Sequence, residues 1–401
     1  MVDRTVDIVI VGGGLVGATL LLALSQSGYS TLLVEERSYE QYQANNFNAR
    51  TLALAPASIS ILKTLSVWPR LSERATLIHN IHISEQGRFG FSRLEGEYNS
   101  PLGAVVEIPD IFQALYPLIP SNQIIAPAKV TAFDAKQGIL TINDGEQQST
   151  IQADLVVAAD GADSSMRGLC CLPATIKDYN QHAIIANIGL ARSHNNWAYE
   201  RFTSSGPLAL LPMTDNRASL VWSLPAHEAS SMLAINSRDF LHRLQAAFGY
   251  RLGRFTKVGH RSIYPLRQII MPQQAQWPVV FIGNAAHTLH PVAGQGFNLS
   301  LRDVAGLAQQ IMSHGLTPSM LTNYTKFRQK DQFCVQKFTD GLVQLFTSRI
   351  PGLSFLRGIG LVALDNSSKL KDLLAYYARG YAGQTPDLAC GIPLISRDNH
   401  E

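Results

Sequence analysis

Three glycine-bearing stretches hold the residue types that could grip a ligand and do chemistry with it. The longest is residues 283–303, GNAAHTLHPVAGQGFNLSLRD. A short β-rich run precedes it, and an apolar periodicity at Leu301, Val304, Ala308 and Ile311 follows, so its glycines sit where a strand feeds a helix. Gly294 and Gly296 let the backbone approach a planar group closely, while the helix behind them aims unpaired N–H groups and a positive dipole end at it. The expected guest carries, or acquires, negative charge. Near the start, Gly12, Gly14 and Gly17 fit G-x-G-x-x-G, with Glu35 at the end of the next strand. That spacing serves a dinucleotide: one glycine makes the tight turn, one admits a pyrophosphate, one packs helix on strand, and the acid accepts from a ribose hydroxyl. Between the two, residues 153–167, ADLVVAADGADSSMR, lead a buried-looking strand into Asp160 and Gly161, then Ser164 and Arg167 at one-turn spacing. Such a turn sets acceptors and a cation side by side, or is simply a turn.

The elements that must position these residues follow from the pattern around them. Residues 8–34 contain no charge, but Gly12, Gly13, Gly14 and Gly17 interrupt the run. It resolves into a strand (7–11), a helix (15–26, closed by Gly28) and a strand (31–35), a βαβ unit in place of a membrane span or signal peptide. Arg50, in NARTLAL (48–54), is expected just before an apolar helix through Ile59, Leu62 and Leu65. There it could hold a phosphate or ribityl oxygen, or stay at the surface. Residues 78–132 alternate as short strands with turns at 85–87 and 99–103, interrupted by a helix at 109–118 that contains Gln113. β-rich runs at 184–190, 197–202, 208–212 and 220–224 read as an antiparallel sheet inserted between the nucleotide-binding segments, with a helix at 237–248. A sheet laid over a cofactor makes a natural substrate wall, with Phe202, Leu208, Leu210 and Trp222 as apolar candidates.

Composition bounds the function. The 401 residues are 46% hydrophobic and 16% charged, enough for the cores of two interleaved domains. A net charge of +3 spread along the chain leaves no nucleic-acid footprint. No metal-ligand spacing occurs. The four cysteines, Cys170, Cys171, Cys334 and Cys390, form no CxxC and read as reduced thiols of a cytosolic protein. After a long helix at 318–347, apolar residues from Leu353 to Leu374 alternate with Arg349, Arg357, Lys369 and Lys371 around Pro351. These runs are too short to span a bilayer but suit a membrane surface, a partner or the protein's own core.

GGGLVG near the start, DGADSSMR in the middle and GNAAHTLHPVAGQGFNLSLRD late, in this order, resemble the three fingerprints of the class A flavoprotein aromatic hydroxylases, across nearly the whole chain. Within that family, AHTLHPVAGQGFNL with the following LRD, YERFTSSGPLALLP (199–212) and SLVW (219–222) are most similar to the ubiquinone-biosynthesis branch acting on 2-polyprenyl-6-methoxyphenol. The resemblance implies a mixed α/β chain: a Rossmann-like FAD-binding domain (1–75, 109–181, 269–317) interleaved with an antiparallel-sheet substrate domain (76–108, 182–268), then a helical region (318–401). It implies that Gly12, Gly14 and Gly17 meet the FAD pyrophosphate, Glu35 the ribose and the Val130 backbone the adenine. Arg50 and Gln113 would reach the ribityl and phosphate region, and Asp160 and Gly161 would serve FAD and transient NAD(P)H. Asn284, beside Gly283, would touch the ribityl chain, and Pro291, Gly294, Gln295 and Gly296 would line the isoalloxazine, with Asn298 close behind. The wider family has aspartate where this chain has Asn284. A neutral amide oxygen accepts more weakly than a carboxylate, so FAD affinity is expected to be lower. The polyprenyl-phenol branch has the same asparagine.

The implied chemistry is that of a monooxygenase: NAD(P)H reduces FAD, O₂ gives a C4a-hydroperoxide, and the ring of a polyprenyl phenol takes its distal oxygen. His287 and His290 fall in the late loop, and His290 and Pro291 are the residues to consider nearest the reacting centre, as a base or as backbone-bonded structure. Alternatives are hydroxylation at another ring position or of another aromatic, a lipid-acting flavin dehydrogenase, or a non-catalytic scaffold for other ubiquinone-biosynthesis proteins. The implied location is cytoplasmic, peripheral on the inner face of the membrane.

Overall fold

In the computed structural model the described residues are 2–42, 47–97, 100–348, 350, 352–381 and 383–394. The expected turn residue Asn99, and Arg349 and Pro351 in the tail, lie outside them.

Two sheets organise the molecule. The first is parallel at its centre: Arg4–Val11 pairs with Thr31–Val34 on one side and Gln148–Ala158 on the other, and Val279–Phe281 joins beyond. Ile8, Val9, Ile10, Leu155, Val156 and Val157 are wholly buried, as continuous apolar runs covered on both faces require. The βαβ reading holds, with the helix at Leu15–Ala23 and a left-handed Gly28 (φ 77°) in the turn after it. Behind the sheet, helix Gln295–His314 runs through the largest core cluster beside Leu301, Val304 and Ile311.

The second sheet has nine strands and is antiparallel except where Trp197–Phe202 lies parallel to Asn80–Glu85. Its long strand Thr175–Leu190 begins ahead of the expected boundary at 182. One face is packed by the helices Ala226–Ala234 and Ser237–Phe248, through Phe240, Leu244 and Phe248. The other looks toward the first sheet across a cavity.

Arg50 does not open a helix. Residues Thr51–Leu54 form a strand paired with Gly103–Glu107, and the helix starts only at Pro56. The mixed apolar run after Arg50 carries both periods, and pairing with a neighbouring strand decided between them. The tail is helical as expected, at Pro318–Thr347, Leu353–Asn366 and Ser368–Ala378, and among the described residues no helix is long and apolar enough to cross a membrane.

Candidate active site

A cavity of about 1620 Å³ lies between the sheets, lined by the glycine stretches at one end and by sheet and tail helices at the other. The glycine end is built by main chain. A Cβ on Gly12 would stand 2.6 Å from the Ala159 carbonyl oxygen, and one on Gly17 only 1.9 Å from the Gly12 carbonyl oxygen. Loop and helix therefore interlock at a spacing that alanine would destroy. Gly14, Gly161 and Gly296 meet nothing within 4 Å at their Cβ positions, and all three border the cavity. Their bare faces look onto space a ligand can fill. Glu35 is buried, its carboxylate accepting from the backbone N–H groups of Gly13 and, at 2.8 Å, Arg37. Lone pairs remain for a further donor.

The late loop has a floor of side chains. Gly294, left-handed at φ 60°, precedes helix Gln295–His314 without any side-chain cap, so the first-turn N–H groups have no side chain to satisfy them. Asn298 lines the cavity, yet its amide is saturated: Oδ1 accepts from the Ala55 N–H and the Ser58 hydroxyl at 2.7 Å, and Nδ2 donates to the Ala53 and Gly294 carbonyls at 2.8 Å. Its side chain positions the loop, leaving only its main chain for a ligand. Gln295 keeps a buried Oε1 without a partner. Beneath, Asp303 accepts from His287 Nε2, from Arg328 Nε and Gln332 Nε2 at 2.9 Å, and from the Gly283 N–H at 3.4 Å. Burial alone would raise this carboxyl, but His287 and Arg328 outweigh it and hold the group well below the usual range. Arg302 pairs with Asp331 at 2.7 Å beside it.

His290 takes the backbone-bonded of its two expected roles. It is 1% exposed, its Nδ1 accepts from the Val292 N–H at 3.2 Å, its ring abuts Tyr179, and burial pushes its pKa down to about 4. It supports the loop from below, while Pro291 is on the cavity wall. His287 is likewise under the loop, on Asp303.

The other predicted residues divide. Arg50 reaches the cavity with its guanidinium 4.6 Å from the Tyr264 ring centroid, and Asn284 is exposed on the wall. Asp160 spends one carboxylate oxygen on the Met166 N–H at 3.0 Å, holding the short helix Ser165–Leu169, and keeps the other buried and partnerless. The Val130 side chain is in the core beneath the first sheet, two residues beyond Ala128, whose N–H donates to the Glu35 carbonyl at 2.7 Å. Gln113 is not brought to the site: it is exposed on helix Ile108–Leu115 and accepts from Arg74 at 2.6 Å, while Pro109 and Phe112 face the cavity.

The substrate wall needs the largest correction. Of the four apolar candidates only Phe202 faces the cavity, stacked on Phe346 with centroids 3.5 Å apart. Leu208, Leu210 and Trp222 point the other way, into the core under the helices. Successive strand residues alternate faces, and the cavity receives the intervening ones: Ala198, Glu200, Ala209, Leu211 and Val221. Both faces are covered, so apolar side chains stand on each and polarity does not tell them apart. Glu200, inside the YERF run, went unnoticed, because only its place on an enclosed apolar wall distinguishes it from a surface glutamate. The cavity then continues past Leu342 and Phe346 to Leu356, Leu361, Leu373 and Tyr377 in the tail helices.

This arrangement fits FAD: backbone cleared by three open glycines, an uncapped helix start for negative charge, and partnerless buried oxygens on Asp160 and Gln295. A family model described as FAD binding domain matches residues 5–330. The chain is 34% identical to the ubiquinone hydroxylase UbiL of Rhodospirillum rubrum, over 98% of this chain and 94% of that one. It is 30% identical to the 3-demethoxyubiquinol 3-hydroxylase of Escherichia coli, over 95% and 100%. Among solved structures, p-nitrophenol 4-monooxygenase PnpA of Pseudomonas putida superposes with a TM-score of 0.79 at 16% identity, covering 95% of this chain and 99% of that one, a likeness of fold. The chain belongs to the FAD-binding-domain family of flavoprotein monooxygenases.

Proposed function

We propose that this protein is an FAD-dependent monooxygenase that hydroxylates the ring of a polyprenylated phenol in ubiquinone biosynthesis, with 2-polyprenyl-6-methoxyphenol as substrate. The observation that carries this is the continuity of one cavity from the glycine cradle, along a sheet wall, to the apolar tail helices. At about 1620 Å³ it exceeds the ~300–1,000 Å³ of an ordinary small-molecule site. That is room for a dinucleotide and a long apolar substrate together.

In this reading Gly12, Gly14 and Gly17 take the pyrophosphate, Glu35 the ribose, and the Val130 backbone the adenine. Arg50 and Asn284 bound the ribityl region, and Pro291, Gly294, Gln295 and Gly296 meet the ring system. When bound, FAD passes the electrons of NAD(P)H to O₂, so that one oxygen atom enters the phenol ring and the other leaves as water. The chain's part is to orient and to dry. The first-turn N–H groups at Gly296 to Asn298 stabilise negative charge brought beside them. Ile81, Ile83, Ala209, Leu211 and Val221 exclude water from the ring.

The tail of the substrate leaves between helices Leu353–Asn366 and Ser368–Ala378, where Leu356, Leu370, Leu373 and Tyr377 both border the cavity and are exposed. Phe355, Ile359 and Val362 extend this apolar face, which would rest on a membrane surface. Two measurements test the reading. Purified protein reduced anaerobically by NAD(P)H and then given air and a short-chain 2-prenyl-6-methoxyphenol should insert one O₂-derived oxygen; flavin reduction without oxygen in the product would move the assignment to a dehydrogenase. Flotation with anionic liposomes should carry the wild-type chain and lose a Leu356→Asp, Leu373→Asp variant; equal flotation would remove this face from the membrane.

A further inference from the structure

The sheet wall of the cavity carries an ionisable group that the proposed function leaves unused. Glu200 is at the middle of strand Trp197–Phe202, beside Ile83 of the strand on one side and Ala209 of the strand on the other. Ala198 and Phe202 flank it on the same face, and all of these border the cavity. Among the described residues its carboxyl makes no hydrogen bond or ion pair, and burial pushes it up to about 7. The residue is half-buried and its carboxyl borders the cavity, so a ligand entering there meets an acceptor that no side chain has claimed.

Its charged neighbours are committed elsewhere or face away. On its own strand Arg201 points to the opposite face and donates to the Ala247 carbonyl at 3.0 Å. On the next strand His82 also faces away, against Tyr199, and Glu85 is engaged by Arg357 at 2.6 Å. The strand Pro207–Met213 brings no ionisable side chain. Across the cavity stand Arg37, Arg50 and Lys337, with Arg50 against Tyr264 and Lys337 near the Phe333 ring. None of them shifts Glu200, whose displacement has burial as its cause.

We propose that Glu200 is a catalytic residue: its carboxylate receives the hydrogen bond of the substrate's phenolic hydroxyl, fixes the ring on the wall and takes the phenolic proton during hydroxylation. This rests on the function proposed above. The phenolic O–H bond breaks toward Glu200 and leaves its electron pair on the ring oxygen, which makes the ring a stronger nucleophile. A ring carbon then forms the new C–O bond with its own electron pair as the O–O bond breaks. The second oxygen leaves as water on the two electrons from NAD(P)H. The hydrogen of that ring carbon departs as a proton, restoring aromaticity, and Glu200 returns its proton to the phenolic oxygen. A group titrating near neutrality is matched to both transfers.

The test uses the full chain loaded with FAD, and 2-prenyl-6-methoxyphenol and its O-methyl ether as probes. Binding to the oxidised protein without O₂ is followed by flavin absorbance. The phenol should bind about tenfold more tightly at pH 8 than at pH 6, because only the carboxylate accepts a charge-assisted bond, and the ether should show no such change. Glu200→Gln should abolish the pH dependence, keep its flavin, its reduction by NAD(P)H and its affinity for the ether, and lose about 100-fold in kcat. Glu200→Asp should recover part of the rate and the pH profile. A Gln variant with wild-type kcat and an unchanged pH profile overturns the proposal. So does a wild-type chain that binds phenol and ether with one pH profile, a comparison that needs no variant to fold. Should the wild-type chain bind the phenol with the expected pH dependence yet never hydroxylate it, the proposed function fails while the Glu200 contact stands.

Discussion

The two ends of the cavity are made in different ways. At the cradle the ligand-facing surface is main chain, and its shape depends on what glycine lacks; at the wall it is side chain, and its shape depends on which of two alternating sets faces inward. The cradle demands one residue type at fixed spacing, so a change there fails outright. The wall demands only volume and polarity, which many sequences supply, so changes there are graded and separable.

The largest effect should come from Gly17→Ala. With the Gly12 carbonyl oxygen 1.9 Å from the new Cβ, the helix must withdraw from the loop. The expected product is protein purified without flavin that cannot be reconstituted. A Gly17→Ala chain with full flavin content would show that the cradle tolerates side chains as the wall does.

A neighbouring pair on one strand tests the wall. Leu210, 1% exposed under the helices, should cost about 3 kcal/mol on truncation to alanine, with kcat unchanged in the surviving folded fraction. Ala209→Leu, one residue along and facing the cavity, should change stability by less than about 1 kcal/mol, since it fills space instead of emptying it. Its effect should fall on substrate KM. Urea denaturation and steady-state kinetics on both variants decide it, and a Leu210→Ala protein with raised KM and intact stability would reverse the two faces.

That pair also marks where sequence reading stops. Gly12, Gly14, Gly17, Glu35 and the 283–303 loop were legible because a close backbone approach permits so few alternatives. The wall was not, because Leu208, Ala209, Leu210 and Leu211 are all apolar, and no polar face reveals the register of a sheet covered on both sides. The resemblance sets Asn298 beside the ligand, but its amide is spent on the floor of the loop, and His290 takes the backbone-bonded of its two expected roles. The link from Asp303 to Arg328 and Gln332 spans two helices and leaves no local pattern.

Cradle and wall should also differ in the sign of their pH response. Under the cradle, His290 has its pKa lowered from 6.5 to about 4. The unfolded chain therefore binds more protons between those values, and the loop loses stability as pH falls from 6.5 toward 4. On the wall, Glu200 is raised from 4.5 to about 7. The folded chain then holds more protons, so this contribution is complete below 4.5 and lost as pH rises through 7. Each is on the order of 3 kcal/mol over its window, and they oppose each other between pH 4.5 and 6.5. His290→Gln should leave stability falling from pH 5 to 7, and Glu200→Gln should leave it rising. Parallel slopes in the two variants, measured by urea unfolding, would mean that one of these groups titrates normally.

The smallest effect is the most exacting test of where the cradle stops. Gln113 shares helix Ile108–Leu115 with Pro109 and Phe112, which border the cavity, but it points outward to Arg74. An exposed contact of this kind contributes little, so Gln113→Ala should shift stability by less than about 0.5 kcal/mol. Its FAD dissociation constant should equal that of the wild-type chain. Phe112→Ala serves as the internal contrast, since a 3% exposed aromatic on the same helix should lose stability and flavin affinity together. Weakened FAD binding in Gln113→Ala alone would require this helix to turn when the cofactor enters, and the cradle would then be shaped by its ligand and not ready-made in backbone.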